Sequence, residues 1–286
     1  MTDTLLKPMR AGLIGSGIQA SLTPAMHMRE GEAQGFPYEY ELIDLGRLGA
    51  GVADLPRLVE EAEARGLSGL NITHPCKQSV IAHLDELSPE ARDLGAVNTI
   101  VLHQGRRKGY NTDWWGFAES FRRSLPDADL SSALQLGAGG AGAATAYAML
   151  SLGLRRLLVS DREPQRAEAL VAAMSPLFPA AEIQVATALA PAMRQAAGLV
   201  HATPTGMAGY PGLPLPAELL ERRHWVAEVV YFPLETELLR EARQRGCRTL
   251  DGGGMAVFQA VGAFRLFTGR EPDAGRMLAH FATLTG

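Results

Sequence analysis

The stretch Gly137-Ala138-Gly139-Gly140-Ala141-Gly142 constrains the fold more than any other feature of the chain. It follows a short apolar run at 133–136 and opens an alanine-rich run at 140–152. Gly137, Gly139 and Gly142 fit the spacing G-x-G-x-x-G. The first glycine of such a unit makes a tight turn, the second lets backbone approach a pyrophosphate, and the third packs helix against strand. The helix start then offers free N–H groups and a positive dipole end to phosphates. Glycine-rich turns also occur for purely structural reasons, but the strand-to-helix context predicts a dinucleotide site.

Strand-like and helix-like segments alternate around this turn. Strands are expected at 9–15, 38–45, 67–73, 133–136, 156–160, 183–187, 198–202, 225–230 and 247–250. Segments 96–103 and 108–110 flank Gln104-Gly105 and read as a hairpin. Helices are expected at 55–65, 113–125, 140–152, 163–174, 236–245, 254–267 and 273–284, and Pro75 reads as the first position of a helix running to 84. The stretch 206–216, with three prolines and three glycines, reads as a loop. Such alternation predicts an α/β fold with a parallel sheet covered on both faces. A length of 286 residues suits two domains.

Asp161 ends the strand after the glycine turn, 24 residues beyond Gly137. A carboxylate there can accept both adenosine ribose hydroxyls and repels a 2′-phosphate, which favours NAD over NADP. Arg162 pulls the other way, since it could neutralise Asp161 or make room for that phosphate. Asp161 could also simply cap the helix that follows.

The charge balance, 27 basic against 31 acidic residues, carries no footprint for nucleic acid or an anionic membrane. No apolar run approaches the ~20 residues of a membrane span, and Met1 to Pro8 lacks the apolar core of a secretion signal. Two isolated cysteines, Cys76 and Cys247, read as reduced thiols. A cytoplasmic protein is expected. The seven histidines show no metal-ligand spacing.

On the other side of a cleft, Asn71-Ile72-Thr73-His74-Pro75-Cys76-Lys77 would point amide, hydroxyl and ammonium groups together from a strand end. Asp113 lies where the second run of βα units begins. A lysine and an aspartate meeting in a cleft can share acid/base work. Lys77 taken alone reads more readily as a solvated surface residue, and local sequence does not show that the two meet.

Several motifs together resemble the shikimate dehydrogenase family. They are Ser21-Leu22-Thr23-Pro24, Asn71-x-Thr73-x-Pro75-x-Lys77, Gly95-Ala96-Val97-Asn98-Thr99, Asn111-Thr112-Asp113-x-x-Gly116, Ala202-Thr203-Pro204-x-Gly206-Met207, and Gly254-Met255 with Gln259. The resemblance implies a substrate domain of residues 1–112 and 252–286, with a Rossmann NAD(P)-binding domain, 113–251, inserted between them. It implies that Ser21 and Thr23 bind the carboxylate of a cyclic polyhydroxy acid, with Tyr231 near it. Asn71, Thr73, Asn98 and Gln259 would hold ring hydroxyls, while Lys77 and Asp113 flank the hydroxyl being oxidised. Proton transfer falls mainly to Lys77, with Asp113 orienting; the reverse assignment stands as its alternative. The cofactor set comprises Gly137, Ala138, Gly139, Gly140, Ala141, Gly142, Asp161, Arg162, Arg166, Thr203, Pro204, Met207, Val229, Gly252 and Met255.

Departures from the family pattern point to its NAD-dependent quinate/shikimate branch. Thr23 stands where biosynthetic enzymes usually carry serine, and Asp161-Arg162-Glu163 where they carry Asn-Arg-Thr. His201 replaces a usual asparagine and Ala20 a common histidine. The implied reaction is reversible, NAD-linked oxidation of quinate or shikimate to 3-dehydroquinate or 3-dehydroshikimate by a monomer or homodimer, with NADP the second choice of nucleotide. Three alternatives remain: an NADP-linked shikimate or aminoshikimate dehydrogenase, a folate-type dehydrogenase of similar build, and a non-catalytic dinucleotide-binding regulator.

Overall fold

The run from Ala11 to Gly15 is small and apolar, and it is fully buried within the first strand, β1 (Met9–Gly15), of the computed structural model. The structure describes residues 8–285. Residues 1–7, which carry most of the N-terminal stretch read as lacking a secretion signal, lie outside the described residues. The chain divides into two compact units. One comprises the residues up to Thr112 and those from Gln259 onward, and the other is Asp113–Phe258.

In the first unit, β1 is followed by α1 (Thr23–Ala33), β2 (Tyr38–Asp44), α2 (Leu45–Leu48), α3 (Leu55–Ala64), β3 (Gly69–Ile72), β4 (Glu86–Leu87), α4 (Pro89–Leu94), β5 (Thr99–His103) and β6 (Arg106–Tyr110). The sheet order is β2-β1-β3-β5-β6-β4. β1 pairs parallel with β2 and β3, whereas β5 runs antiparallel to both β3 and β6. The sheet is therefore mixed rather than wholly parallel. Gln104 and Gly105, both at positive φ, close the expected hairpin between β5 and β6. Helix α3 buries Leu55, Leu58, Val59 and Ala62, the apolar stripe legible in its spacing.

In the second unit, α5 (Asp113–Ser124) leads into β7 (Ala133–Leu136), α6 (Gly140–Ser151), β8 (Arg156–Ser160), α7 (Pro164–Met174), β9 (Glu182–Val185), α8 (Leu189–Gln195), β10 (Gly198–His201), β11 (Trp225–Glu228), α9 (Glu237–Gln244) and β12 (Arg248–Leu250). All strands run parallel in the order β12-β11-β10-β7-β8-β9. This is the doubly wound order, whose direction of winding reverses between β7 and β10, where such sheets open a ligand crevice at their carboxyl ends. The stretch 206–216 is a loop.

Helix α10 (Gly253–Thr268) begins in the second unit and ends in the first, followed by α11 (Ala274–Thr285). Its last turns bury Ala263, Phe264 and Phe267 against Ala11 and Tyr38 of the first sheet. A side chain at Gly69 would strike the Phe267 ring at 2.1 Å, so glycine there leaves the ring its seat. Glu30, buried on α1, accepts from Arg276 Nε and Nη2 at 2.8 Å each and from the Asp273 amide at 2.9 Å, which ties α11 to α1.

One expected element is absent. Residues 75–84 do not form an α-helix from Pro75: the His74–Pro75 peptide is cis, and the Cys76 amide closes a turn on Thr73 O at 2.8 Å. Only a 3₁₀ turn, Ser79–His83, follows. Cys76 is committed to the core, and the turn is fixed by that burial and by the Val97 amide donating to Lys77 O at 2.8 Å. Both cysteines are free and buried. No helix among the described residues is long and apolar enough to cross a membrane.

Candidate active site

In the first unit, the carboxyl ends of β1 and β3 and the start of β5 meet at one edge of the sheet. Gly15 and Thr73 leave that edge side by side, with a Cβ on Gly15 falling 2.3 Å from Thr73 Cγ2. The Ser16 amide donates to His74 O at 2.9 Å. Ser21 and Thr23 stand half-buried at the start of α1, with the Thr23 amide 3.4 Å from Ser21 Oγ.

Asp44, at the end of β2, holds the segment leading to Ser21. Its carboxylate accepts from Gln19 Nε2 at 2.9 Å and from the amides of Gly17, Ile18 and Gly46. These hydrogen bonds, the one from the Gln19 side chain foremost, hold its carboxyl below the usual aspartate range. A depressed folded-state pKa stabilises above the unfolded value and loses its effect as pH falls through the folded one, here below about pH 4. Asp44→Ala should speed amide hydrogen exchange at Gly17 and Ile18 by about tenfold or more. Unchanged protection would show that Asp44 does not hold this segment.

Asn71 is buried and heavily engaged. Its Nδ2 donates to Asn98 O at 3.2 Å and Thr99 Oγ1 at 3.1 Å, and its Oδ1 accepts from Tyr40 Oη at 2.8 Å. With both amide hydrogens used, its remaining capacity is one acceptor lone pair on Oδ1. Asn98 Oδ1 accepts the Thr112 amide at 2.7 Å, and its Nδ2 donates to Thr112 Oγ1 at 3.0 Å. Asn98 thus fixes the residue immediately before Asp113. Lys77 is half-buried on the turn after β3, and Gln259 is half-buried in α10. Asp113 is the first residue of the second unit and opens α5.

The second unit brings the glycine turn to the switch point. Gly137 has φ +102°, and a Cβ there would lie 2.4 Å from Ala202 O, across the gap between β7 and β10. A Cβ on Gly142 would lie 2.2 Å from Gly137 O. Gly139 and Gly140 face open space, with nothing of the chain within 4 Å of a Cβ. The first and third glycines are therefore required by the protein itself, whereas the middle pair is unobstructed.

Asp161 Oδ2 accepts the Ala138 amide at 2.7 Å and Oδ1 the Glu163 amide at 3.0 Å. Its carboxylate thus both braces the turn and holds the chain entering α7. Arg162 and Arg166 are exposed, and Arg166 pairs with Glu163 at 2.9 Å. Thr203 is half-buried, Pro204 and Met207 are exposed, and the Val229 amide donates to His201 O at 3.1 Å. Gly252 packs so closely against the segment leaving β11 that a Cβ would lie 2.4 Å from Val229 O, and Met255 is half-buried two residues into α10. Tyr231 is exposed after β11.

Two groups escape a sequence reading. Gln135, fully buried, donates to Gly137 O at 3.0 Å and Gly142 O at 2.8 Å and accepts from Thr145 Oγ1 at 3.0 Å, which clamps the turn from below. A lone glutamine inside the apolar run Ala133-Leu134-Gln135-Leu136 is the signal that could have found it. The second group is the buried pair of His201 and Glu228.

Comparison with known proteins agrees with this architecture. The model of the shikimate dehydrogenase substrate binding domain matches residues 13–100, and that of the shikimate 5′-dehydrogenase C-terminal domain matches 252–280. The shikimate dehydrogenase (NADP(+)) of Streptomyces avermitilis is 60% identical over 277 residues, covering 96% of this chain and 95% of that protein. The quinate/shikimate dehydrogenase (NAD(+)) of Corynebacterium efficiens is 48% identical, covering 96% and 97%. The solved quinate dehydrogenase from Corynebacterium glutamicum in complex with NAD superposes with a TM-score of 0.92 at 46% identity, covering 97% of this chain and all of that one. The fold is that of a two-domain nicotinamide-nucleotide oxidoreductase. The chain belongs to the shikimate dehydrogenase family.

Proposed function

We propose that this protein oxidises quinate and shikimate reversibly at a ring hydroxyl with NAD. The observation that carries the reading is the glycine turn at the β7/β10 switch point, where Gly139 and Gly140 face open space and Asp161 accepts from the Ala138 amide. In this reading the first unit is the substrate domain and the second the nucleotide domain.

Asp161 supports NAD as the nucleotide. Each of its oxygens has one backbone N–H partner and keeps a lone pair for a ribose hydroxyl. A 2′-phosphate would meet that carboxylate, while Arg166 is drawn toward Glu163. The relatives named above divide between the two nucleotides, and in this reading Asp161 makes the choice. Asp161→Asn should raise kcat/KM with NADP relative to NAD by about 10- to 100-fold, the worth of one charge-assisted hydrogen bond gained or lost. An unchanged ratio would remove Asp161 from nucleotide selection.

When bound, NAD supplies the hydride acceptor. The protein's work is to hold the acid and move a proton. Ser21 and Thr23 hold the carboxylate, with Tyr231 near it. Asn71, through its remaining Oδ1 lone pair, accepts from a ring hydroxyl, and Thr73, Asn98 and Gln259 hold others. Lys77 takes the proton of the hydroxyl being oxidised, and Asp113, set in place through Asn98 and Thr112, orients both. Incubation of either acid with NAD should yield NADH and the matching keto acid in equal amounts. No keto acid from either would overturn the reading.

A further inference from the structure

The parallel register of the second sheet sets His201 beside Leu136 on one side and Glu228 on the other. Both His201 and Glu228 are fully buried at the carboxyl edge of the sheet, and neither belongs to the proposed proton-transfer pair. A buried carboxylate must be matched by donors, and here each donor can be identified.

The Val230 amide, which can only donate, lies 2.9 Å from Glu228 Oε1. Thr236 Oγ1 lies 3.2 Å from Oε2. That hydroxyl already accepts from the Leu239 amide at 3.3 Å, so its own hydrogen is directed at Glu228. His201 Nδ1 lies 2.9 Å from both carboxylate oxygens. Between a carboxylate and Nδ1 only an N–H of the ring can supply the hydrogen. A neutral imidazole with its proton on Nδ1 carries a lone pair on Nε2. Nε2 sits 2.5 Å from Thr203 Oγ1, so with a neutral ring of that tautomer the hydrogen on that axis is the threonine's own.

We infer that Glu228, acting through His201, makes Thr203 an acceptor-only hydroxyl, and that this selects a hydrogen-donating group on the bound nucleotide. The hydroxyl hydrogen is spent on His201, one lone pair is met by the Thr205 amide at 3.3 Å, and one lone pair remains. Thr203 stands at the switch point, its Cγ2 3.1 Å from where a Cβ of Gly137 would be. The inference rests on the reading that Thr203 lines the nicotinamide-nucleotide site. The donor it would accept from is a primary carboxamide N–H. His201 and Glu228 touch no ligand in this scheme and act as positioning residues.

The test has two parts. Nitrogen-15 NMR of the ligand-free protein, with the His201 signals assigned by their loss in H201N, reads the tautomer directly. A ring protonated on Nδ1 is expected, and one protonated on Nε2 overturns the inference whether or not nucleotide binds. The second part compares binding of NAD with that of its 3-acetylpyridine analogue, which replaces the carboxamide by a methyl ketone and has no N–H to give. The wild-type protein should favour NAD by about tenfold. Thr203→Val should abolish that preference, and Thr203→Ser should keep it. His201→Asn leaves an N–H for Glu228 but withdraws the acceptor from Thr203, so its hydroxyl can turn and serve either group; the preference should shrink toward parity. Equal preference in wild type and all three variants overturns the inference. Failure of the wild type to bind either nucleotide would overturn the reading of the site and with it the selection of a nucleotide donor, whereas normal binding with the wrong tautomer or an unchanged preference overturns the inference alone.

Discussion

Lys77→Ala is expected to lower kcat for oxidation of either acid by about 10²- to 10⁴-fold, the range that a positioned proton-transfer group contributes. KM should move by no more than a few fold. The side chain is asked to work only as the hydroxyl proton leaves, so its removal falls on the transition state rather than on the bound acid. The variant should fold, because position 77 is fixed through its backbone: Val97 N donates to Lys77 O, and the neighbouring Cys76 is anchored in the core. Binding of NAD in the absence of acid should be unchanged, since Lys77 belongs to the first unit. Turnover near that of the wild type would take Lys77 out of the chemistry and shift the proton to Asp113.

Gly142→Ala should be strongly destabilising. The new Cβ would lie 2.2 Å from Gly137 O and 2.8 Å from Gly137 C, and backbone at both ends of the turn leaves nothing flexible to give way. Relief requires α6 to back away from β7. That movement pulls Gly137 O and Gly142 O off Gln135 Nε2 and leaves a buried amide short of partners. Overpacking and the broken clamp together should cost about 3 kcal/mol or more. NAD affinity should be lost along with it. Gly140→Ala is the matched control: its Cβ meets nothing within 4 Å, so stability should hold while nucleotide affinity falls. Equal thermal stability of the two variants would contradict this reading of the turn.

The parts of the fold that were legible are those in which one short segment carries its own signal. Strands at 9–15, 133–136 and 156–160 are compact apolar runs bounded by glycine, polar residues or a turn, and they form with those bounds. Helix α1 was hidden because its buried face is not apolar: His27 and Glu30 occupy it beside Met26 and Gly31. His27 is neutral there, its pKa pushed down to about 3 by burial, and it packs among Tyr38, Tyr40, Phe264 and Phe267. Helix α4, at six residues, is too short for periodicity to show. Pro75 misled because proline serves a tight turn as well as a helix start.

The candidate site divides in the same way. The glycine turn and Asp161 were legible because strand, turn, helix and carboxylate follow one another along the chain. Gln135, Asp44 and the His201–Glu228 pair were not, because each acts on a partner that only the sheet brings near. His201 stood out from the sequence as an unexplained departure, and its explanation, Glu228, lies 27 residues away on the adjacent strand.

The most direct measurement is a matrix of steady-state rates, with quinate and shikimate each assayed against NAD and NADP. The account predicts turnover of both acids, with NAD the better nucleotide for each. NADP-linked oxidation of shikimate alone, with no NAD-linked oxidation of quinate, would contradict it.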